Sequence, residues 1–224
     1  VGPEYFGETN AATNQWQPKN STDIKKVVTF GNNGWYLPFS NDALATSFTD
    51  SAEHTAHTVT ANGDAHTDTT VKKFGTASAQ FDGTGDYLSV PDSDDWDFGS
   101  DSFTIDFWVY FNNKPSDYAG IISPYDGTGD WELIWRTSGY NNNNSFQLFG
   151  GTFAQSNSLT INTGEWYHVA VVRDGTNVIF YLDGVASGTT SVGSTSFNSV
   201  TNDNLVIGSP GPNYVNNFLD GYMD

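Results

Sequence analysis

The sequence contains no cysteine and only one methionine among its 224 residues. This composition excludes a disulfide framework and thiol chemistry. Basic residues are also scarce: 8 Lys plus Arg stand against 26 Asp plus Glu, which gives a formal net charge of −18. A charge of this sign repels phosphate backbones and anionic lipid. We therefore expect neither nucleic acid nor a membrane as a partner.

Long apolar runs and helix-forming runs are missing as well. No stretch approaches the roughly 18 apolar residues that a membrane span needs, and there are no sustained segments of Ala, Leu, Glu and Lys. Instead, 15% of the residues are aromatic, with 23 Gly and 8 Pro. This composition is typical of many short strands joined by tight turns, so the chain is predicted to be all-β.

Hydrophobic alternation marks the strands most clearly in residues 103–111, FTIDFWVYF. Phe107 and Val109 fall on one face, and Asp106 and Trp108 fall on the other. EWYHVAVVR and NVIFYLDG alternate with similar density, so all three segments are predicted to be interior strands. Turn signals recur roughly every 8–12 residues, as a two-sheet antiparallel sandwich requires.

The pentapeptide DGTGD occurs at residues 82–86 and again at 126–130, and DGT returns at 174–176. A metal loop, an internal repeat and a turn used several times are the alternatives. Asp-Gly suits a tight hairpin, because Gly accepts positive φ and Asp bonds its own turn backbone. The EF-hand pattern of oxygen ligands closed by Glu is not present. These segments are therefore predicted to be separate hairpin tips.

The first 24 residues differ from the rest of the chain in their hydrophobic pattern. Residues 1–24 lack periodicity and are predicted to be an extended N-terminal arm, with Tyr5, Phe6 and Trp16 as anchors for a neighbouring subunit. The domain is predicted to span residues 25–224, beginning with strand-like runs KVVTF and WYLPF around an Asn/Gly turn.

Three ordered stretches resemble the LamG-like jelly roll of the concanavalin A-like lectin/glucanase superfamily, which includes laminin G modules and pentraxins. They are FGTASAQFDGTGDYLSVPDSDDWDFGSDSFTIDFWV, GEWYHVAVVRDGTNVIFYLDGVASG and LVIGSPGPNYVNNFLDGYMD. The resemblance covers about residues 34–224 and implies an all-β, two-sheet antiparallel jelly-roll sandwich. Because the resembled family continues beyond this point, the domain is expected to be truncated at its last strand, with residues 218–224 pairing with the 34–39 strand.

The segment KKVVTFGNNGWYLPF, which precedes the jelly roll, is similar in sequence to domains in structural proteins of tailed bacteriophages. This similarity implies a non-enzymatic virion module in a multi-copy assembly: a capsid decoration, fibre or spike component that contacts glycans or neighbouring virion subunits. The alternative is an extracellular carbohydrate-binding module of a secreted or cell-surface protein. A degenerate glucanase is the third reading.

Catalysis is not expected, although the superfamily includes glucanases. Retaining glucanases of this fold place two carboxylates about 5 Å apart, on a Glu-x-Asp-x-x-Glu strand or a close variant. The only glutamates here are Glu4, Glu8, Glu53, Glu132 and Glu165, and none belongs to such a motif. The chain is therefore predicted not to be an enzyme.

Calcium is the one cofactor that the resemblance suggests. GDWELIWR resembles the pentraxin stretch in which an Asp at the start of a strand binds calcium. This implies Asp130 as a ligand, with Asp126 across the same turn and Asn213 as a neutral oxygen donor. At most one weak Ca²⁺ site is expected.

A mixture of aromatic and planar polar residues suggests where a sugar would bind, because a pyranose has both an apolar face and a ring of hydroxyls. The candidate ligand-binding residues are Tyr125, Trp131, Tyr140, Asn141, Asn142 and Asn143. The alternative is that Trp131 and Trp135, which point the same way as Leu133, belong to the core, and that the asparagines form a solvated loop.

Overall fold

A computed structural model of the chain describes residues 2–19, 21–28, 34–39, 41–52, 56–124, 130–138, 144–199, 203–211 and 213–224. These residues contain the helix α1 (Ser21–Val27) and the strands β1 (Gly7–Thr9), β2 (Trp16–Pro18), β3 (Ser47–Thr49), β4 (Thr58–Asn62), β5 (His66–Asp68), β6 (Ser78–Asp82), β7 (Tyr87–Val90), β8 (Phe103–Phe111), β9 (Tyr118–Ser123), β10 (Glu132–Arg136), β11 (Ser145–Gly150), β12 (Thr152–Gln155), β13 (Trp166–Asp174), β14 (Asn177–Leu182), β15 (Val185–Ser191), β16 (Leu205–Ile207) and β17 (Asp220–Met223).

The strands form two large antiparallel sheets and one small hairpin. One sheet has eight strands in the order β12-β11-β10-β9-β16-β7-β4-β3, and the other has seven in the order β15-β14-β13-β8-β17-β6-β5. The predicted all-β, two-sheet sandwich is therefore confirmed. The three segments predicted as interior strands are β8, β13 and β14, and each has a neighbour on both sides.

The core lies between the two sheets and follows the alternation of β8. Phe107, Val109 and Phe111 belong to the buried cluster that both sheets share. Trp108 and Tyr110 point to the opposite, outer face of the seven-stranded sheet, because successive strand residues alternate between faces. The buried face is continuous across the ladder, since Val169 and Val171 of β13 lie opposite β8 and belong to the same cluster.

The Asp-Gly turns use the backbone chemistry that the sequence indicates. Gly83 has φ +84°, and the Asp82 side chain accepts a hydrogen bond from the N–H of Thr84 at 2.7 Å. Gly175, between β13 and β14, has φ +59°. The turn at 174–176 joins the paired strands β13 and β14 and is a hairpin tip, as predicted. The turn at 82–86 instead connects β6 of the seven-stranded sheet to β7 of the eight-stranded sheet, so its prediction as a hairpin tip is wrong. The DGT at 126–128 lies outside the described residues.

The pairing of the last strand differs from the prediction. β17 lies between β6 and β8, with Tyr222 opposite Gln80 on one side and Tyr110 on the other. The predicted pairing of residues 218–224 with 34–39 is wrong, because both edges of β17 are occupied and residues 34–39 form no strand. Truncation of the domain at its last strand stays a prediction.

The N-terminal arm is more structured than its sequence predicts. Strands β1 and β2 form a hairpin, whose turn is closed by the Asn10 side chain accepting hydrogen bonds from the N–H groups of Ala12 and Thr13. That turn has no Asn-Gly or Asp-Gly pair, so the usual hairpin signal is missing. The predicted boundary between residues 24 and 25 falls inside α1, and the description of the arm as extended is corrected accordingly.

Trp16 of this arm packs on the outer face of the seven-stranded sheet. Its ring centroid lies 5.7 Å from that of His168. A Cβ on Gly184 would come within 2.6 Å of the indole carbons, so only glycine fits at that contact. Trp16 therefore contacts this chain's own sandwich, whereas contact of the arm with a neighbouring subunit stays a prediction.

None of the helices in the described part of the chain is long and apolar enough to cross a membrane.

Replacing Phe107 by Ala should lower the free energy of unfolding by about 3–5 kcal/mol, because the side chain is 8% exposed and its loss leaves a cavity in the shared core. Urea unfolding followed by circular dichroism measures the change. Val185→Ala is the control: its side chain is 70% exposed, so a change within about 0.5 kcal/mol is expected. Similar losses in the two variants would contradict the burial of Phe107.

Candidate functional site

The outer face of β9 to β12 combines charged, amide and aromatic side chains. In β10, Leu133 and Trp135 point into the core, so Glu132 and Arg136 lie on the opposite face. The register places side chains of the neighbouring strands beside them. We call this surface the β10 face; it consists of Tyr118, Glu132, Arg136, Gln147, Phe149, Phe153 and Gln155.

Arg136 is held rigidly at one end of the β10 face. Its Nη1 donates to Asp117 Oδ1 at 2.8 Å, and its Nε donates to Gln147 Oε1 at 3.0 Å. The guanidinium also lies over the Tyr118 ring, 4.8 Å from its centroid. Such a fixed guanidinium is a preorganised donor, since little rotamer freedom remains to be lost on binding. Its positive charge is already matched by Asp117.

Glu132 lies on the same strand face, two face positions from Arg136. Burial raises the pKa of its carboxyl to about 7, against a smaller opposing attraction from Arg136. Among the described residues, no hydrogen-bond donor contacts this carboxylate. A partly buried acceptor without a donor is unfavourable for the isolated fold. Such groups concentrate at functional sites.

Aromatic rings lie next to Glu132. Phe149 of β11 is directly opposite Glu132 in the register, and its ring centroid lies 4.8 Å from that of Phe153 on β12. Both phenylalanines are only partly buried. The β10 face therefore presents an apolar ring surface immediately beside an unpaired carboxylate. A sugar, which has an apolar face edged by hydroxyls, complements that combination.

The loop after β16 lies on the middle of the β10 face, in the row of Gly120, Ile134 and Gln147, and the last two are fully buried. A Cβ on Gly120 of β9 would lie 2.0 Å from the backbone of Ser209 and Pro210, so the loop rests directly on this strand. The N–H of Gly120 donates to the carbonyl of Asn217 at 2.9 Å. Asn213, predicted as a calcium ligand, is exposed on this loop.

The structure separates the predicted ligand-binding residues into two groups. Trp131 is 1% exposed, packs in the core and donates its indole N–H to the carbonyl of Trp96. Its prediction as a ligand contact is therefore corrected, and the alternative that placed it in the core is supported. The other five lie outside the described residues: Tyr125, Tyr140, Asn141, Asn142 and Asn143. In the sequence they lie between β9 and β10 and between β10 and β11, the strands that carry the β10 face.

The predicted calcium ligands are not assembled by the described residues. Asp130 is 2% exposed, just before β10, whereas Asn213 belongs to the loop that contacts Gly120. Asp126 lies outside the described residues. Among the described residues, no group of three or more His, Asp or Glu side chains is arranged to hold a metal ion. The described donors do not fit a calcium site, and one weak Ca²⁺ stays a prediction.

Two other features are weaker candidates for a ligand site. His168 is fully buried, with its Nε2 2.6 Å from Asp106 Oδ2 and with Trp16 packed against its ring. This arrangement leaves no approach for a substrate. A cavity of about 560 Å³ has mainly apolar walls, including Phe103, Ile105 and other core side chains of both sheets. A sugar's hydroxyls would find few partners there.

Two antiparallel sheets packed around one core, with a polar and aromatic outer face, define a lectin-like jelly-roll sandwich. The chain belongs to the concanavalin A-like lectin/glucanases superfamily, because the Laminin_G_3 family model matches residues 82–224. No curated protein matches the sequence.

Solved structures of similar fold include sugar-binding domains. Domain 4 of AbnA, an extracellular arabinanase from Geobacillus stearothermophilus solved with arabinotriose, is 18% identical with a TM-score of 0.60, over 82% of this chain and 91% of that one. A putative carbohydrate binding protein from Bacteroides ovatus is 21% identical with a TM-score of 0.52, over 62% and 39%. The receptor binding domain of botulinum neurotoxin mosaic serotype C/D is 15% identical with a TM-score of 0.57, over 86% and 47%. The chain thus spans less than half the length of the latter two, and identities this low show the fold alone.

Replacing Glu132 by Gln should stabilise the protein in a pH-dependent way. Because the folded-state pKa is raised to about 7 from an ordinary 4.5, ionisation destabilises the fold as pH rises between these values. The variant should therefore match the wild type near pH 4.5 and exceed it above pH 7, by on the order of 1 kcal/mol after solvent screening. Urea unfolding at several pH values measures this difference.

Glu165→Gln is the matched control for that titration. Hydrogen bonds from Tyr167 and Asn162 lower the pKa of the exposed Glu165 carboxyl, so its replacement should not stabilise the protein as pH rises. Burial also raises the pKa of Asp224 to about 7, but Asp224 is present in every variant and cancels in the differences. A Glu132→Gln variant without a stability gain above pH 7 would contradict the unpaired state of this carboxylate.

Proposed function

We propose that the chain is a non-catalytic glycan-binding module that holds a neutral sugar on the β10 face. The single observation that carries the proposal is the Glu132 carboxylate: partly buried, without a hydrogen-bond donor among the described residues, and directly opposite Phe149. A sugar hydroxyl would supply the missing donor while the sugar's apolar face covers the phenylalanine.

Arg136 completes the polar side of this site. Its Nη2 group has no hydrogen-bond partner among the described residues, because Asp117 and Gln147 occupy Nη1 and Nε. It therefore provides donors for a ring or hydroxyl oxygen, while Glu132 accepts. The two groups are about 13 Å apart along the strand, with the buried Ile134 between them, so they would contact different units of a bound oligosaccharide.

Charge favours a neutral sugar over an acidic one. Asp117 already balances Arg136, and Glu132 adds a negative charge whenever it is ionised. The whole chain carries a formal net charge of −18. A carboxylated or sulfated glycan would therefore be repelled both at the site and over longer distances.

The same strand argues against hydrolysis. Its three outward positions are Glu132, Ile134 and Arg136, so β10 supplies one carboxylate where a retaining glycosidase needs two about 5 Å apart. The raised pKa of Glu132 alone would suit a general acid. Without a second carboxylate on the strand to act as a nucleophile, binding is the function that this arrangement supports.

Binding should be detected by calorimetry with neutral oligosaccharides, beginning with arabinotriose and including xylose, glucose and mannose trisaccharides. Glu132→Gln should weaken the affinity about tenfold, because it removes a charge-assisted acceptor. The wild-type affinity should also fall as pH decreases through about 7, where Glu132 becomes protonated. Glu165→Gln is the control and should bind as the wild type does. A glycan that binds both proteins equally at every pH would place binding elsewhere.

Reducing-sugar release from neutral β-glucans and arabinan should not exceed that of a heat-inactivated control. The expected absence of turnover follows from the single carboxylate on β10. Activity that disappears in Glu132→Gln would instead identify this residue as a catalytic acid.

The setting in which the module works is part of the proposal. A place in a tailed-phage virion, as a capsid decoration, fibre or spike component, is supported by the resemblance of the segment 25–39. An extracellular carbohydrate-binding module is the second candidate, favoured by the fold of the arabinanase domain solved with arabinotriose. Identifying the particle or polypeptide that carries these residues distinguishes the two.

A further inference from the structure

The outer face of the seven-stranded sheet, opposite the β10 face, carries a straight row of planar side chains. The registers of adjacent strands place one member on each of β5, β6, β17, β8 and β13. We call it the planar row; in spatial order it consists of His66, Gln80, Tyr222, Tyr110 and Trp166. Neighbouring strands are about 4.8 Å apart, so the row is about 19 Å long.

The members of the planar row face outward because their chain neighbours face the core. Val109 and Phe111 flank Tyr110, and both belong to the buried cluster. The Tyr110 ring contacts those of Trp166 and Tyr222, each with centroids 5.5 Å away. The three rings therefore support one another and stand on a rigid sheet, so little order has to be gained on binding.

The planar row has unused hydrogen-bonding capacity. Among the described residues, no partner contacts the Tyr110 hydroxyl, the Gln80 amide or the Trp166 indole N–H. All three side chains are only partly buried, so a ligand can reach them. Rings with free polar edges suit a ligand that is apolar on its face and hydroxylated at its rim.

A second row of outward residues runs parallel to the first, two positions along the strands. Asp82 of β6 pairs with Asp220 of β17, and the N–H of Asn112 donates to the Asp220 carbonyl at 3.0 Å. The Nδ2 of Asn113 donates to Asp220 Oδ2 at 2.7 Å. We call Asp82, Asp220 and Asn112 the polar row. It places carboxylate and amide groups about 7 Å from the rings.

The rest of this face is less accessible. On the other side of the planar row, the Lys73 ammonium lies over the Trp108 ring at 4.2 Å, and Trp16 covers His168. The planar row and the polar row therefore form a strip between the chain's own covering residues and the end of the sheet. Its central member, Tyr222, is 8% exposed and is hydrogen-bonded to the Asn112 side chain, so the accessible members of the planar row are its other four residues.

We propose that this strip binds an extended segment of a neutral polysaccharide, lying across the strands. The planar row would contact the faces of successive sugar rings, and the polar row would accept and donate hydrogen bonds to their hydroxyls. A chain of about four or more sugars is needed to cover the 19 Å length. The surface is separate from the β10 face and does not depend on the sugar proposed there.

The negative charge of the strip favours a neutral polysaccharide over a polyanionic one. Asp82 and Asp220 would repel a polyanionic glycan, as would the net charge of −18. A basic protein segment would satisfy the carboxylates and contact the rings through cation–π interactions. It would not need five planar groups in one line at regular strand spacing, whereas a linear polysaccharide repeats its rings in that way.

Affinity electrophoresis tests the proposal in gels containing arabinan, galactomannan, mixed-linkage β-glucan or, as the anionic comparison, polygalacturonate. At least one neutral polymer should retard the wild type, and Tyr110→Ala should weaken that binding about tenfold. Asn112→Ala should weaken it severalfold; because Asn112 is exposed, this variant keeps the test decisive if Tyr110→Ala fails to fold. Polygalacturonate should not retard the wild type.

Tyr181→Ala is the matched control. Tyr181 is an aromatic residue on the same outer face, opposite Ala170 on β13 and outside both rows. The Tyr181→Ala variant should be retarded like the wild type. Tyr110→Ala should keep the wild-type affinity for the trisaccharide that binds the β10 face. Glu132→Gln should show the reverse pattern, so failure of one site does not hide the other.

Three results would overturn the proposal. The first is equal retardation of wild type, Tyr110→Ala and Asn112→Ala by every neutral polymer that binds. The second is an absence of retardation by all three neutral polymers. The third is binding of poly-lysine that the two variants lose while polysaccharide binding is unchanged, which would identify a basic protein segment as the occupant.

Discussion

The antiparallel ladder through β13, β8 and β17 is the constraint on which both sides of the seven-stranded sheet depend. Eight residue pairs join β13 to β8, and β17 continues the sheet on the other side of β8. Because side chains alternate strictly between faces, a slip of one residue would exchange the two sets. Phe107 and Val109 would be exposed, and Asp106 and Trp108 would be driven into the core. The register that excludes water from the core therefore also aligns the outward rows.

Strand β10 shows the same alternation, but there it places a destabilising ionisable group on the outer face. Leu133 and Trp135 are buried in the core, and this fixes Glu132 on the outer face. There its carboxyl is partly desolvated but receives no hydrogen bond from the described residues, while Arg136 is engaged by Asp117 and Gln147. A Gln at position 132 would avoid the charge at no loss of packing. The proposed binding site would account for this ionisable group, because a bound ligand would supply the missing donor.

Local patterns predicted the strands, whereas pairings between distant segments could not be predicted. The alternation of FTIDFWVYF placed Phe107 and Val109 in the core, and the Asp-Gly pairs marked turns, since both signals reside in consecutive residues. The position of β17 between β6 and β8 depends on contacts more than 100 residues apart in sequence. The N-terminal hairpin was missed because Asn10, rather than an Asn-Gly pair, closes its turn.

The two candidate sites also differ in how much of each could be predicted from local sequence patterns. The alternation of WELIWR predicts that Glu132 lies on the face opposite Trp131, so the sequence contained a signal for the β10 face. Trp131 was nevertheless chosen as the candidate ligand contact, because aromatic residues are common in sugar sites. The burial that raises the pKa of Glu132 is contributed by neighbouring strands, and no local pattern reveals it. The planar row has no sequence signal at all, because its five residues come from five strands and are aligned only by register.

The two proposed binding surfaces lie on the outer faces of opposite sheets, and this arrangement restricts how they would act together. Packed sheets are about 10 Å apart, and each surface points away from the shared core. One sugar cannot contact both surfaces, and a stiff polysaccharide on the planar row cannot bend back to the β10 face. The two surfaces would therefore bind separate chains, or distant segments of one flexible chain, and the second contact would raise avidity through effective concentration. Such a module would hold neighbouring polysaccharide chains together, and its strongly negative charge would leave that interaction to neutral polymers.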